Sequence, residues 1–139
     1  MGRMAWIGML VLVTGCNTKV SEEDLGHLNG YWSIEKVIFP NGEDKEYTLS
    51  TTVDYLEVER LQGFRKKVQP KFDGTYTTTD DAIFFEIRER NGAFKIYYEK
   101  VLDPWEEQIV SLTENSFSVT NEEGVTYVYK RYHHINAKE

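Results

Sequence analysis

A single cysteine, Cys16, leaves the chain unable to build a disulfide scaffold or a paired-cysteine zinc site. Positive charge is also scarce. The 16 Lys and Arg are outnumbered by 23 Asp and Glu, and a net charge of −7 argues against broad nucleic-acid binding. No apolar run approaches the ~20 residues that a membrane-spanning helix needs. No stretch of about a dozen residues keeps a helical hydrophobic period. An H-x-x-x-H pair, a glycine-rich phosphate loop and a G-x-S-x-G elbow are all missing. His133 and His134 are adjacent, so on a strand they would point to opposite faces and could not share a metal. No two carboxylates are singled out by their spacing for acid–base work. Hence no catalytic residue, metal or cofactor is expected, and the protein is read as non-enzymatic.

What is present is a globular composition. The 139 residues are 40% hydrophobic and 14% aromatic, enough for one domain and too apolar for disorder. The N-terminus carries Arg3, then apolar residues over 4–13, then Thr14-Gly15-Cys16. A positive start and a short apolar stretch read as a secretory signal. Its end, Val13-Thr14-Gly15-Cys16, resembles the lipobox of bacterial lipoproteins. That resemblance implies removal of 1–15 and acylation of Cys16 on its thiol and new amine. At ~0.8 kcal/mol per buried methylene, three chains hold a protein far more firmly than one myristate does. Removing 1–15 takes away all three Met and one of the three Trp, so the mature core must be aliphatic and aromatic. Asn17 resembles the residue of lipoproteins sorted to the outer membrane. Ser21-Glu22-Glu23-Asp24 resembles an acidic surface-export signal, and is equally a solvated tether or a serine cap on a helical turn. The periplasmic and surface faces both stay open.

Residues 16–28 read as a polar lipidated tether with one helical turn over 22–27, and 133–139 as a C-terminal tail. Between them the pattern is short β-rich runs at 31–39, 52–59, 72–79, 82–89, 93–100, 106–112, 116–120 and 125–132. Turn signals such as Pro40-Asn41-Gly42, Asn91-Gly92 and Asp103-Pro104 separate them. Alternation puts Ile83, Phe85 and Ile87 on one face, as it does Phe94, Ile96 and Tyr98. Eight short antiparallel strands suggest an all-β up-and-down barrel or a sandwich. Here Leu28-Asn29-Gly30-Tyr31-Trp32 resembles the Gly-x-Trp opening of the lipocalins and wider calycins, and Tyr127-Val128-Tyr129-Lys130-Arg131 resembles their last strand. The family's middle motif is absent; Asp54-Tyr55 stands on the second strand instead. The resemblance implies an eight-stranded lipocalin-like barrel over 29–132. It also implies structural roles for Gly30, Trp32 and Arg131, with the arginine stacked on the indole at the closed end.

Two further features bear on function. Segment 60–71 carries Arg60, Arg65, Lys66, Lys67 and Lys71 and no acid. It reads either as a solvated hairpin loop or strand end that balances an acidic surface, or as a positive lip around the closed end that meets anionic headgroups or a partner protein. The aromatics Tyr55, Tyr76, Phe85, Tyr98, Tyr127 and Tyr129 are expected inside the barrel, where they either line a pocket or plug it. The expected function is binding of a small hydrophobic or amphipathic molecule by an envelope lipoprotein anchored in the outer membrane. The alternative is a non-enzymatic accessory subunit docked on an outer-membrane protein complex.

Overall fold

The computed structural model describes residues 19–47, 52–78, 81–99 and 102–133. The signal segment and Cys16 lie outside the described residues. A 3-10 helical turn, Glu22–Leu28, leads into the first of ten strands seen among the described residues. The long strands are β1 (Gly30–Ile38), β3 (Val53–Glu59), β4 (Gln62–Pro70), β6 (Ile83–Arg90), β7 (Ala93–Tyr98), β8 (Trp105–Leu112), β9 (Ser116–Asn121) and β10 (Thr126–Arg131). Each pairs antiparallel with the next, and β10 pairs back on β1. The result is a closed eight-stranded antiparallel barrel with no long free edge. Two three-residue strands, β2 (Asp44–Glu46) and β5 (Tyr76–Thr78), are side arms on β1 and β4.

Local sequence explains the joints. Asn91 and Gly92 both take positive φ, 54° and 80°, as a type I′ hairpin turn between β6 and β7 requires. The Asp24 carboxylate accepts from the Ser21 backbone N–H and hydroxyl, so the acidic run caps the helical turn. Leu25 and Leu28 of that turn are buried in the core. Segment 22–28 is therefore a stopper in the barrel's base rather than part of a free tether, because its two leucines point inward.

At that closed end Trp32 is fully buried, and its indole N–H donates to the Leu28 carbonyl at 2.9 Å. The Arg131 guanidinium lies 4.1 Å above the Trp32 ring. It also donates to the carbonyls of His27, Asn29 and Glu114, tying the helical turn and the β8–β9 turn to the last strand. Gly30 has φ +121°, and a Cβ there would collide with that guanidinium. The closed half above is packed solid by Leu56, Phe85, Ile87, Phe94, Ile96, Ile109, Phe117 and Val119.

The strand plan departs from expectation at 60–79. Segment 60–71 is not a loop: a tight turn at Arg60 feeds β4, which climbs from the closed end to the open end. The expected strand over 72–79 shrinks to the β5 arm. The cause is chemical. Positions 63, 65 and 67 face the interior but carry Gly, Arg and Lys, so hydrophobic alternation is hidden. Gly63 is required there because a Cβ would run into the Glu57 carbonyl and the Phe85 ring.

Candidate functional site in the open end of the barrel

Register fixes which side chains look inward above the packed half. Trp32 pairs with Asp54, Asp54 with Lys67, and Leu56 with Arg65, so Asp54, Arg65 and Lys67 share the inner face. On the opposite wall Tyr98 pairs with Trp105 and Ile96 with Glu107, which brings Trp105 and Glu107 inward. Tyr127 and Tyr129 pair with Val119 and Phe117 and close the circle.

Arg65 is the centre of this layer. Its guanidinium bonds the Asp54 carboxylate at 3.0 Å, the Tyr129 hydroxyl at 2.8 Å and the Tyr98 hydroxyl at 3.1 Å. It also lies over the Tyr129 ring at 5.2 Å. Burial opposes its charge, but Tyr98, Tyr129 and Asp54 more than offset that, and its pKa sits well above the ordinary arginine value. Burial likewise pushes the Tyr98 and Tyr129 phenols up, with Arg65 pulling back, so both stay protonated. Lys67, at the rim, reaches the second Asp54 oxygen at 3.3 Å.

Glu107 faces the same space. One carboxylate oxygen accepts from the Trp105 indole N–H at 3.1 Å; the other is buried without a partner. Burial raises its pKa, while Arg65 and the Trp105 N–H act in the opposite direction. A carboxyl that holds its proton more tightly when folded contributes stability below its unfolded pKa, and loses that contribution as pH climbs through its folded pKa. The stability of wild-type protein relative to Glu107→Gln is therefore expected to fall as pH rises from 4.5 toward neutrality. Urea unfolding of both proteins across that range checks it, and a flat difference would mean that this carboxyl titrates as if in water.

Above the cluster a cavity of about 620 Å³ opens to solvent. Arg65, Asp54 and Glu107 form its polar side, and Trp105, Tyr127, Tyr129 and Ile83 its aromatic and aliphatic side. The Trp105 ring is held by stacking on Tyr98, centroids 4.5 Å apart. Among the described residues, no group of three His, Cys, Asp or Glu could hold a metal ion.

The expected interior residues divide. Tyr127 and Tyr129 line the cavity, and Tyr98 braces its floor through Arg65. Phe85 points inward but belongs to the packed half. Tyr55 and Tyr76 are not interior. Asp54 and Leu56 take the inward positions of β3, so Tyr55 must point out. There it joins a chain of rings on the outer wall. Tyr132 meets Tyr76 at 6.4 Å, Tyr76 stacks on Tyr31 at 4.2 Å, and Tyr31 meets Tyr55 at 4.8 Å. Phe64 and Phe84 continue the chain at 6.0 and 6.2 Å.

The basic residues divide too. Arg60 sits in the closed-end turn, and Lys66 points outward over the Phe64 ring. Lys67 is at the open rim, and Lys71 is exposed beyond β4. Arg65, expected at the surface, is inside. No positive lip surrounds the closed end, because a strand distributes its side chains along the barrel's height and between both faces. Asp54, Glu107 and Trp105 were not anticipated as site residues. The one available signal was Asp54 on a face of β3 whose other residues, Leu56 and Val58, are apolar.

The lipocalin-like domain family model matches residues 28–119. A crystal structure of a lipocalin-like protein from Bacteroides uniformis aligns with 77% of this chain and all of its own, at 13% identity and a TM-score of 0.48. A search of curated proteins finds no match. The family match spans most of the chain, and the chain belongs to the lipocalin-like domain family.

Proposed function

We propose that this is an envelope lipoprotein, held at the outer membrane by acylated Cys16, whose barrel takes up one small amphipathic molecule through its open end. The observation that carries the reading is the 620 Å³ cavity, with apolar rings on one side and a buried polar layer beneath. A guest with one polar end and an apolar body would satisfy both. Arg65 stays charged and both phenols stay protonated, so these three groups can hold a guest without exchanging protons with it. We read the barrel as a binding protein without a cofactor. Native mass spectrometry of gently extracted protein is expected to show a retained small molecule that Trp105→Ala releases. Bare protein under all extraction conditions would count against the reading. The anchor has its own test. Intact mass should give a chain starting at triacylated Cys16, and Cys16→Ser should leave an uncleaved, unanchored precursor.

A second reading, an accessory subunit docked on an outer-membrane protein, draws on the outer chain of rings, where Phe84 is 59% exposed. Phe84→Glu should abolish co-purification of such a partner and leave any retained small molecule in place.

A further inference from the structure

Resting on the proposed binding in the open half of the barrel, we infer that the guest's polar end is an uncharged hydroxyl, the headgroup of an alcohol or polyol, and that Glu107 selects it. Glu107 is 8% exposed and lines the cavity. Its Oε1 is occupied by the Trp105 indole N–H, and its Oε2 has no donor. An acceptor left unmet at that depth is destabilising, and native interiors rarely tolerate one without a use for it. Glu107 lines the cavity, so a guest seated there lies beside this carboxylate. What that oxygen calls for is a hydrogen-bond donor.

Across the cavity, Tyr129 Oη accepts from Arg65 and keeps its own proton to donate. A guest group that donates to Glu107 and accepts from Tyr129 is matched by a hydroxyl, the smallest group that does both. Charge points the same way. Arg65 and Lys67 both pair with Asp54 beside Glu107, and Lys66 and Asp81 add one charge of each sign to the cavity lining. A guest anion would face two carboxylates, and a guest ammonium would face a guanidinium already committed to Asp54, Tyr98 and Tyr129. An anion would be repelled by those carboxylates, and an ammonium at Glu107 would have to sit against the Arg65 charge that already acts on it, whereas a hydroxyl meets Oε2 without adding charge. The rest of the guest would lie against Trp105, Tyr127 and Ile83 on the way to the mouth.

The test uses four chain-matched probes with the full chain: octan-1-ol, 1-methoxyheptane, octanoate and octylammonium. Binding is read by isothermal titration and by the NMR signal of the Trp105 indole N–H, which reports its bond to Glu107. Octan-1-ol is expected to saturate the site and bind roughly tenfold tighter than the ether, which has no donor, with both ions weaker still. In Glu107→Leu the alcohol-to-ether ratio should fall toward about one. In Glu107→Gln, whose amide turns a donor into the cavity, the ratio should also fall, and this variant keeps the bond to Trp105. Tightest binding of either ion, equal binding of alcohol and ether, or an unchanged ratio in both variants would overturn the inference while leaving the binding reading intact. If no probe bound saturably and the Trp105 signal never moved, the binding reading would fall and this inference with it.

Discussion

Trp32→Ala is expected to destabilise the protein by about 3–5 kcal/mol, the cost of emptying a fully buried indole site that its surroundings cannot refill. Three losses combine. The ring leaves a void beside Phe117, which it meets edge-on at 4.7 Å. The Leu28 carbonyl loses its donor at a buried position. The Arg131 guanidinium loses the aromatic face over which it is held. For a domain with ~5–15 kcal/mol of total stability, that leaves little folded margin. Trp32→Phe separates the terms, since it restores much of the ring volume but not the indole N–H, and it should recover more than half of the loss. Arg131→Met should cost less than Trp32→Ala. The carbonyls of His27, Asn29 and Glu114 lie at an exposed end, where water can replace the guanidinium. Urea unfolding of the three variants orders them. If Trp32→Ala stayed within ~0.5 kcal/mol of wild type, the closed end would not be part of the cooperative core.

The closed half of this barrel was legible in the sequence because its chemistry follows the period-2 rule. Phe94, Ile96 and Tyr98 alternate with polar residues, as do Phe117 and Val119, and all five point inward. Asn91-Gly92 marked its hairpin, and Gly30, Trp32 and Arg131 meet as the Gly-x-Trp resemblance implied. The open half breaks the rule. There the inner face carries Asp54, Arg65, Lys67 and Glu107, so alternation of hydrophobicity either vanishes, as in β4, or selects the wrong face, as at Tyr55. A run of basic residues looks the same in sequence whether it is a solvated loop or a strand with one buried arginine. Only the cross-strand partner, Asp54 eleven residues earlier, distinguishes the two cases. The same substitution of polar for apolar residues that hid the strand also made the cavity. Filled with Leu and Ile, the open half would be packed like the closed half and would hold nothing.

Arg65→Met is expected to cost about 3–5 kcal/mol at neutral pH, as is usual when one partner of a buried ion pair is removed. The methionine fills much of the vacated volume, so the loss is mainly electrostatic. Asp54 would keep only Lys67, whose side chain is 70% exposed and whose attraction is weakened by solvent. Glu107 would lose the cation that now pulls against its raised pKa. Glu107 would then hold its proton more tightly still in the folded state than in the unfolded chain. Stability of the variant should therefore fall as pH rises through the folded pKa of Glu107, and its deficit against wild type should narrow on acidification toward pH ~4. Arg65→Glu should be worse, because it sets a third acid beside the other two. A double variant, Asp54→Leu with Arg65→Met, should recover most of the loss, since an apolar pair leaves no charge stranded. Unfolding titrations at pH 7 and pH 4 on the single and double variants measure both effects. If Arg65→Met were as stable as wild type at pH 7, the cluster would be solvated through the open mouth. Arg65 would then serve only as the cavity's floor, with no part in holding the barrel together.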